Sequence, residues 1–398
     1  MEVKLTDCYT LSDGKALMSG TEALVRLLLE QSRIDRMNGL RTKGLVSGYP
    51  GSPLGGLDIA LGKAKSFLDE EGIYFQPAVN EELAATALWG SQHINLYDNP
   101  SVQGVFSMWY GKGPGLDRAM DALRHANQGG VAPHGGMVIA VGDDPTGKSS
   151  TLAYQSDQNF HSLGIPYFSP KNVSEIIPMG LEAFALSRYS GCCVGLKIVV
   201  DTADSNAVVD MSRLRPNFPK MMPNNLVHVT KHDPAGARES KLHEIRLPEV
   251  QKWCAKSENA VQIYLPVKKG KTRLGIIGVG KIANEINEAL ITLLPDGGKS
   301  NTVAFTALNM PWPLPEQSLS DMLSIAEEVL VIEEKRSFVE DQIAKICVKK
   351  DRNMLLSGKT NPDGENLLPS YGELSLESII NVIAERASHH SIELNPLK

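Results

Sequence analysis

Short runs of consecutive apolar residues alternate with longer amphipathic stretches along the first half of the chain. The apolar runs predict buried strands and the amphipathic stretches predict helices, because parallel strands are buried on both faces whereas their helices are buried on one. The predicted strands are 44–48, Val102–Met108, Met137–Gly142 and Val194–Val200, and the predicted helices are Thr21–Glu30, 114–128 and 173–189. Thr21 is the predicted N-cap of the first helix. This alternation is typical of a doubly wound parallel sheet.

The pattern is lost near residue 211 and becomes regular again near Thr272. Residues 211–268 are rich in proline and then in charge, with one predicted helix near 247–256. The elements predicted beyond them are strands at Leu274–Ile277, Thr302–Leu308 and Glu328–Ile332, a mobile stretch at Asp351–Asn366 and a last helix at 373–387. We therefore predict an α/β domain at 1–225, a connector at 226–268 and a smaller α/β domain at 269–398.

Composition narrows the class of protein. The 398 residues carry a formal net charge of −6 without a basic stripe, which argues against a nucleic-acid partner. No apolar run is long enough to span a bilayer, and the first 14 residues lack the apolar core of a signal peptide, so we expect no membrane association. The five scattered cysteines form no C-x-x-C pair, which argues against a zinc or iron–sulfur site and favours a reducing cytoplasm.

The first candidate site follows a short apolar strand that ends near Gln76. Asn80 is a good N-cap, and Glu81 and Glu82 fall in the first turn of a helix rich in alanine, where the helix dipole favours negative charge. Ligands of α/β sheets bind where a strand turns into a helix, so these carboxylates are candidates for function. The alternative is that both glutamates only cap the helix.

Two glycine-rich loops follow predicted strands. The first, Gly48–Asp58, includes Tyr49, Gly51 and Ser52, so backbone amides and one hydroxyl can approach a ligand closely. The second, Trp109–Asp117, carries Lys112. Plain strand-to-helix connections are the alternative for both loops.

Two nucleotide-binding motifs also match. Residues 142–149 satisfy the P-loop pattern, but Asp143 and Asp144 would place two negative charges in the phosphate-binding nest. Residues 278–283 match part of the dinucleotide fingerprint, but the next predicted strand ends in Asn309 instead of the acidic residue that holds a ribose. A P-loop protein and an NAD-binding Rossmann protein therefore stay as alternatives.

Several motifs, taken in order, resemble one known family. They are Gly48–Asp58, Asn80–Ala87, Met108–Gly115, Gly142–Asp144 with Lys148–Leu152, Ser187–Cys192 and Val331–Gln342. Together they resemble the indolepyruvate ferredoxin oxidoreductases, and most of all the N-terminal part of the long bacterial form in which all domains are fused. The likeness covers nearly the whole chain.

The resemblance implies a pyrimidine-type thiamine-diphosphate-binding domain followed by a transketolase-C-terminal-like domain. It further implies oxidative decarboxylation of an indolepyruvate-type 2-oxo acid to acyl-CoA, with CoA as acyl acceptor and ferredoxin as electron acceptor. By position in the motifs, Glu81 matches the glutamate that hydrogen-bonds the aminopyrimidine, and Ser52 matches the hydroxyl residue beside the substrate. Both are predicted catalytic residues. The predicted cofactor-binding residues are Glu81, Tyr49, Gly51, Lys112, Asp143 and Ser149.

The chain departs from the family in what it lacks. No Gly-Asp-Gly segment for magnesium and diphosphate and no cluster cysteines occur in these 398 residues. We therefore expect thiamine diphosphate to be shared with a partner subunit or domain that carries Mg²⁺ and [4Fe–4S] clusters. We also expect a dimeric assembly, no activity without that partner, and, as a further alternative, a non-catalytic orphan subunit.

Overall fold

The computed structural model describes residues 4–214, 218–219, 221–231, 233–352 and 354–396. The chain forms two compact units, Met1–Lys256 and Ser257–Lys398. Helices at Ala235–Lys241 and Leu247–Cys254 belong to the first unit, so the stretch predicted as a connector is structured there. The predicted domain limits remain a prediction. Within the described residues, none of the helices combines the length and the apolar character that crossing a bilayer requires.

A six-stranded sheet forms the centre of the first unit. Its order is β3-β2-β4-β5-β7-β6, and every neighbouring pair is parallel. A separate antiparallel pair joins β1 to β8. The strands are β1 Lys15–Ser19, β2 Thr42–Gly48, β3 Ile73–Phe75, β4 Gly104–Lys112, β5 Met137–Asp143, β6 Tyr167–Phe168, β7 Val194–Val199 and β8 Asn206–Asp210.

Helices cover both faces of this sheet. They are α1 Asp7–Thr10, α2 Gly20–Met37, α3 Leu57–Lys63, α4 Lys65–Glu70, α5 Glu81–Ser91, α6 Gly113–Gly129, α7 Asp157–Leu163, α8 Val173–Ser190, α9 Val200–Asp204, α10 Ala235–Lys241 and α11 Leu247–Cys254. Helix α2 packs on α8 and α5 packs on α6. All seven residues of β5 are buried, as a central strand between two helical layers requires.

The first long helix corrects one prediction. Its N-cap is Ser19 and not Thr21, because the Ser19 side chain accepts the Glu22 amide while the Glu22 carboxylate accepts the Ser19 amide. This reciprocal pair is a capping box, which satisfies two amides that would otherwise lack partners. The helix also runs on to Met37, seven residues beyond its predicted end.

The second unit is a smaller α/β domain. Its sheet has the order β13-β12-β10-β11-β9, in which only the pairing of β9 with β11 is antiparallel. Its elements are β9 Val261–Leu265, β10 Leu274–Val279, α12 Ile282–Leu293, α13 Pro295–Gly298, β11 Val303–Leu308, α14 Glu316–Ile325, β12 Glu328–Ile332, α15 Val339–Lys349, β13 Leu355–Ser357 and α16 Leu376–His389. A parallel sheet in the first unit and a largely parallel sheet in the second, both with helical crossovers, confirm the predicted α/β fold class.

The strand order of the first sheet determines where a ligand has access. From β2 the chain moves to β3 on one side, and it then returns to β4 on the other side of β2. The loops that leave β2 and β4 therefore diverge, and the general rule for such sheets places the ligand crevice between the carboxyl ends of these two strands. The loops predicted to be functional all leave the sheet at this edge.

Candidate active site

Glu81 is the first residue of α5 and is buried, with 7% of its surface exposed. Asn80 caps the helix, since its side chain accepts the Leu83 amide at 2.9 Å. The Trp109 indole donates to the Glu81 backbone carbonyl at 3.0 Å and ties the start of the helix to β4. Helix capping is thus performed by Asn80, and the Glu81 carboxylate is not needed for it.

The Glu81 carboxylate lies against α6 at a point where that helix has no side chain. A Cβ atom at Gly115 would lie 2.8 Å from Glu81 Oε1, so only glycine leaves the carboxylate in this position. The Arg118 guanidinium is 3.8 Å from Glu81 Oε2 and is 61% exposed. Among the described residues no hydrogen-bond donor reaches the carboxylate. The carboxylate can therefore still accept hydrogen bonds, so the site fits a donor ring such as an aminopyrimidine.

Glu82 differs sharply from its neighbour. One helical residue corresponds to about 100° of rotation, and Glu82 is exposed where Glu81 is buried. The two carboxylates that were equivalent in sequence therefore have different environments.

The loop after β2 carries three further predicted residues. Tyr49 is 41% exposed, and its amide donates to the Tyr110 carbonyl at 3.2 Å. Gly51 packs on the aliphatic stem of Lys112, because a Cβ at residue 51 would lie 2.9 Å from Lys112 Cδ. The stem of this lysine thus borders the crevice, and in the described part of the chain the Lys112 ammonium has no hydrogen-bond or ion-pair partner.

The loop after β5 is organised around Asp144, which the sequence indicates only as a negative charge that disfavours phosphate binding. Its carboxylate is 1% exposed and accepts the backbone amides of Gly147 at 2.8 Å, Ser149 at 2.8 Å and Ser150 at 3.0 Å. Burial acts to raise the pKa of Asp144, but hydrogen bonds from the amides of Ser149, Ser150 and Lys148 outweigh it and hold the pKa at about 2. Asp144 therefore stays ionised at neutral pH.

This geometry argues against the P-loop alternative. The amides that would bind phosphate already donate to the chain's own carboxylate. A P-loop also opens a helix at its lysine, whereas the next helix here, α7, begins only at Asp157. The motif match is therefore fortuitous.

Asp143 lies beneath that loop and does not face the crevice. Its Oδ2 atom accepts the amide and the hydroxyl of Ser156 at 2.9 and 2.8 Å, and Lys197 Nζ is 3.6 Å away. Burial raises the pKa of Asp143 in spite of Lys197. Lys197 also pairs with Asp157 at 2.7 Å. Asp143 is thus placed to hold the far end of the loop, and direct contact with a cofactor stays a prediction.

The dinucleotide motif of the second unit has a packing explanation. A Cβ at Gly278 would lie 2.5 Å from Ile286 Cδ1, so this glycine allows α12 to approach β10. Asn309 is 2% exposed, and its side-chain amide donates to the Asn259 carbonyl at 3.1 Å. The position that would hold a ribose in an NAD site is therefore occupied by an internal contact.

Comparison with known proteins agrees with these features. Residues 266–398 match the family model described as the indolepyruvate oxidoreductase domain. The chain is 26% identical over 387 residues to the indolepyruvate oxidoreductase subunit IorA of Methanothermobacter marburgensis, and 26% identical over 399 residues to that of Pyrococcus abyssi. The predicted resemblance to indolepyruvate oxidoreductases is confirmed. That the likeness is to the fused bacterial form remains a prediction.

Each of these two alignments covers 96% of the chain but only 56% and 54% of the IorA subunits. The chain thus spans slightly more than half the length of these indolepyruvate oxidoreductase relatives. The activity of the full-length relatives is therefore only a proposal for this chain.

Two solved structures share the fold. A 2-oxoglutarate:ferredoxin oxidoreductase from Magnetococcus marinus superposes with a TM-score of 0.63 and 16% identity, covering 94% of this chain and 65% of that one. A split-gene transketolase, described as an inactive tetramer, superposes with a TM-score of 0.54 and 12% identity, covering 93% and 98%. At these identities the likeness concerns fold. It confirms the predicted α/β fold class with parallel sheets, and the assignment of a pyrimidine-type and a transketolase-C-terminal-like domain remains a prediction.

Proposed function

We propose that the chain supplies the pyrimidine-binding half of a thiamine-diphosphate-dependent 2-oxo acid:ferredoxin oxidoreductase of the indolepyruvate type. The observation that carries this proposal is Glu81, a buried carboxylate at the β2/β4 crevice to which no side chain or amide of the described residues donates a hydrogen bond. The likeness to indolepyruvate oxidoreductase subunits supports an oxidoreductase subunit. The acyl acceptor would be CoA, the electron acceptor ferredoxin, and the compartment the cytoplasm.

Each residue of the crevice has a role in this proposal. Thiamine diphosphate, when bound, supplies the carbon nucleophile and electron sink that decarboxylation of a 2-oxo acid requires. Glu81 would hold the aminopyrimidine by accepting a hydrogen bond at its carboxylate, and this would let the acid assist proton transfer in the bound cofactor. Ser52 and Lys112 border the space for the substrate, and the Lys112 ammonium offers a charge partner to its carboxylate. Tyr49, Gly51 and Ser149 shape the wall of the crevice.

The exposed surface around Glu81 supports a partner. Val79 is 82% exposed and Leu83 is 53% exposed, so exposed apolar side chains flank Glu81 along the chain at the start of α5. Apolar residues clustered at a functional edge are typical of an interaction site. We propose that a diphosphate-binding subunit or domain with Mg²⁺ and [4Fe–4S] clusters covers this edge, within a dimeric assembly.

The experiment is reconstitution. The chain would be co-expressed with a partner that carries a Gly-Asp-Gly segment and cluster cysteines, and ferredoxin reduction would be followed with indolepyruvate, CoA and thiamine diphosphate. We expect turnover from the assembly and none from the chain by itself. Robust turnover by the isolated chain would refute the shared-site proposal. An assembly that forms but binds no thiamine diphosphate would instead favour the orphan-subunit alternative.

A further inference from the structure

Three side chains form a directed chain of hydrogen bonds between the loop after β5 and the loop after β2. The Ser52 hydroxyl donates to Ser149 Oγ at 2.5 Å, and the Ser149 hydroxyl donates to Asp144 Oδ2 at 3.2 Å. The loop after β2 also contacts the end of β5 directly, since a Cβ at Gly142 would lie 2.8 Å from Pro53 Cδ. The predicted catalytic serine is therefore linked through Ser149 to a buried carboxylate.

The direction of this chain follows from the charge of its last member. An ionised carboxylate accepts hydrogen bonds and cannot donate them, so the Ser149 hydroxyl must give its only proton to Asp144. The Ser149 oxygen is then left with lone pairs, and Ser52 must be the donor in the next link. Five backbone amides, those of residues 146–150, hold the carboxylate in the orientation that this requires.

We propose that Asp144 is a positioning residue that acts through Ser149 to fix the hydrogen-bond polarity of Ser52. With its proton committed to Ser149, Ser52 presents oxygen lone pairs to the crevice and accepts a hydrogen bond from a bound amine, hydroxyl or water. It does not donate to a carboxylate, so that task is left to Lys112, whose stem borders Gly51. The relevance to turnover rests on the proposed function, whereas the relay itself belongs to the chain.

The relay is tested first in the isolated chain. Asp144→Asn should raise amide hydrogen exchange in residues 146–150 by about tenfold or more, because hydrogen bonds to a charged acceptor are lost. Ser149→Ala should leave that exchange unchanged, because its backbone amide still bonds Asp144. Ser52→Ala and Ser149→Ala should lower the melting temperature less in combination than the sum of their separate effects. Additive shifts together with unchanged exchange in Asp144→Asn would overturn the relay.

The same variants are then measured in the reconstituted assembly. In the wild-type background, Ser149→Ala should change either kcat or the KM for the 2-oxo acid. In the Ser52→Ala background, the same substitution should have no further effect on either constant. Ser149→Thr, which keeps the hydroxyl, should restore the wild-type constants. Ser150→Ala is the matched control, because the Ser150 hydroxyl has no hydrogen-bond partner among the described residues. Equal effects of Ser149→Ala in both backgrounds would overturn the positioning role. Coupled melting shifts in a chain whose assembly lacks turnover would support the relay and overturn the proposed function.

Discussion

The Glu81 carboxylate lies against Gly115 of α6, so that the position of the acid depends on the absence of a side chain at residue 115. A Cβ atom at residue 115 would lie 2.8 Å from Oε1 and 2.9 Å from Cγ of Glu81. Real Cβ contacts are not this short, so any larger residue must displace the glutamate side chain. A substitution at Gly115 would change the position of the Glu81 carboxylate, whereas a substitution at Glu81 would change its charge, so the two properties can be tested separately.

Replacing Gly115 tests the position. Gly115→Ala should reduce turnover of the reconstituted enzyme by about 10²-fold, the cost of a small misplacement of a catalytic group. Stability should change by no more than about 1 kcal/mol, since alanine is the better helix former. Gly90→Ala in α5 is the control, because a Cβ there meets no atom within 4 Å. Normal turnover in Gly115→Ala would show that the position of Glu81 is unimportant.

Replacing the acid tests its charge. Glu81→Gln should lower the free energy of unfolding by no more than about 1 kcal/mol, which is the range that a lost charge–dipole interaction costs. Turnover should fall by at least about 10²-fold, the lower end for loss of acid–base assistance. The exposed Glu82 is the control, and Glu82→Gln should leave turnover nearly intact. Equal, small stability losses with normal turnover in both variants would support the capping alternative.

A buried ion pair contributes to the stability of the second unit. Arg386 donates to both carboxylate oxygens of Glu328, at 2.8 and 2.9 Å, and His390 Nε2 lies 2.8 Å from Glu328 Oε2. Glu328 is fully buried, so Arg386→Ala would strand a charge and should cost about 3–5 kcal/mol in the free energy of unfolding. Glu385→Ala, at the neighbouring exposed position, should change it by less than about 0.5 kcal/mol. Denaturant unfolding measures both, and equal losses would contradict the prediction.

Glu333 should make the stability of the chain depend on pH. Complete burial raises the pKa of Glu333 from 4.5 to about 7, although the amides of Phe338, Val339 and Glu340 act in the opposite direction. The pKa of Glu333 is higher in the folded state than in the unfolded state. Its contribution to the free energy of unfolding is therefore fully present below pH 4.5 and is lost as the pH rises through about 7. Melting temperatures from pH 4.5 to 8 should therefore fall more steeply for the wild type than for Glu333→Gln. Parallel curves would contradict this.

The fold was predictable because its signals are local and periodic. Strand β12 was predicted to the residue, and the limits of α6 and α8 within one residue at each end, because buried strands and long helices impose strong hydrophobic patterns. The predicted N-cap of α2, Thr21, was wrong because serine and threonine are both good N-cap residues. Only the reciprocal bond with Glu22 distinguishes them.

The site was less predictable because its key relationships connect distant residues. Burial of Glu81 and exposure of Glu82 depend on where α6 packs, which the sequence does not state. Asp144 was considered only as a charge that a phosphate would avoid, although an aspartate followed by small polar residues is a signal for a loop folded around its own carboxylate. Gly115 carried no signal beyond its place in a glycine-rich turn.

The buried Glu81 carboxylate has one more consequence, which concerns evolution and engineering. The one cationic partner of Glu81 in the described part of the chain, Arg118, is 61% exposed and 3.8 Å away, so the ion pair adds little to stability and the fold should tolerate a leucine or methionine at residue 81. Selection for thermal tolerance by itself would therefore not preserve this residue. A design that optimises stability alone could lose the acid, as the trade-off between stability and activity at functional sites leads us to expect.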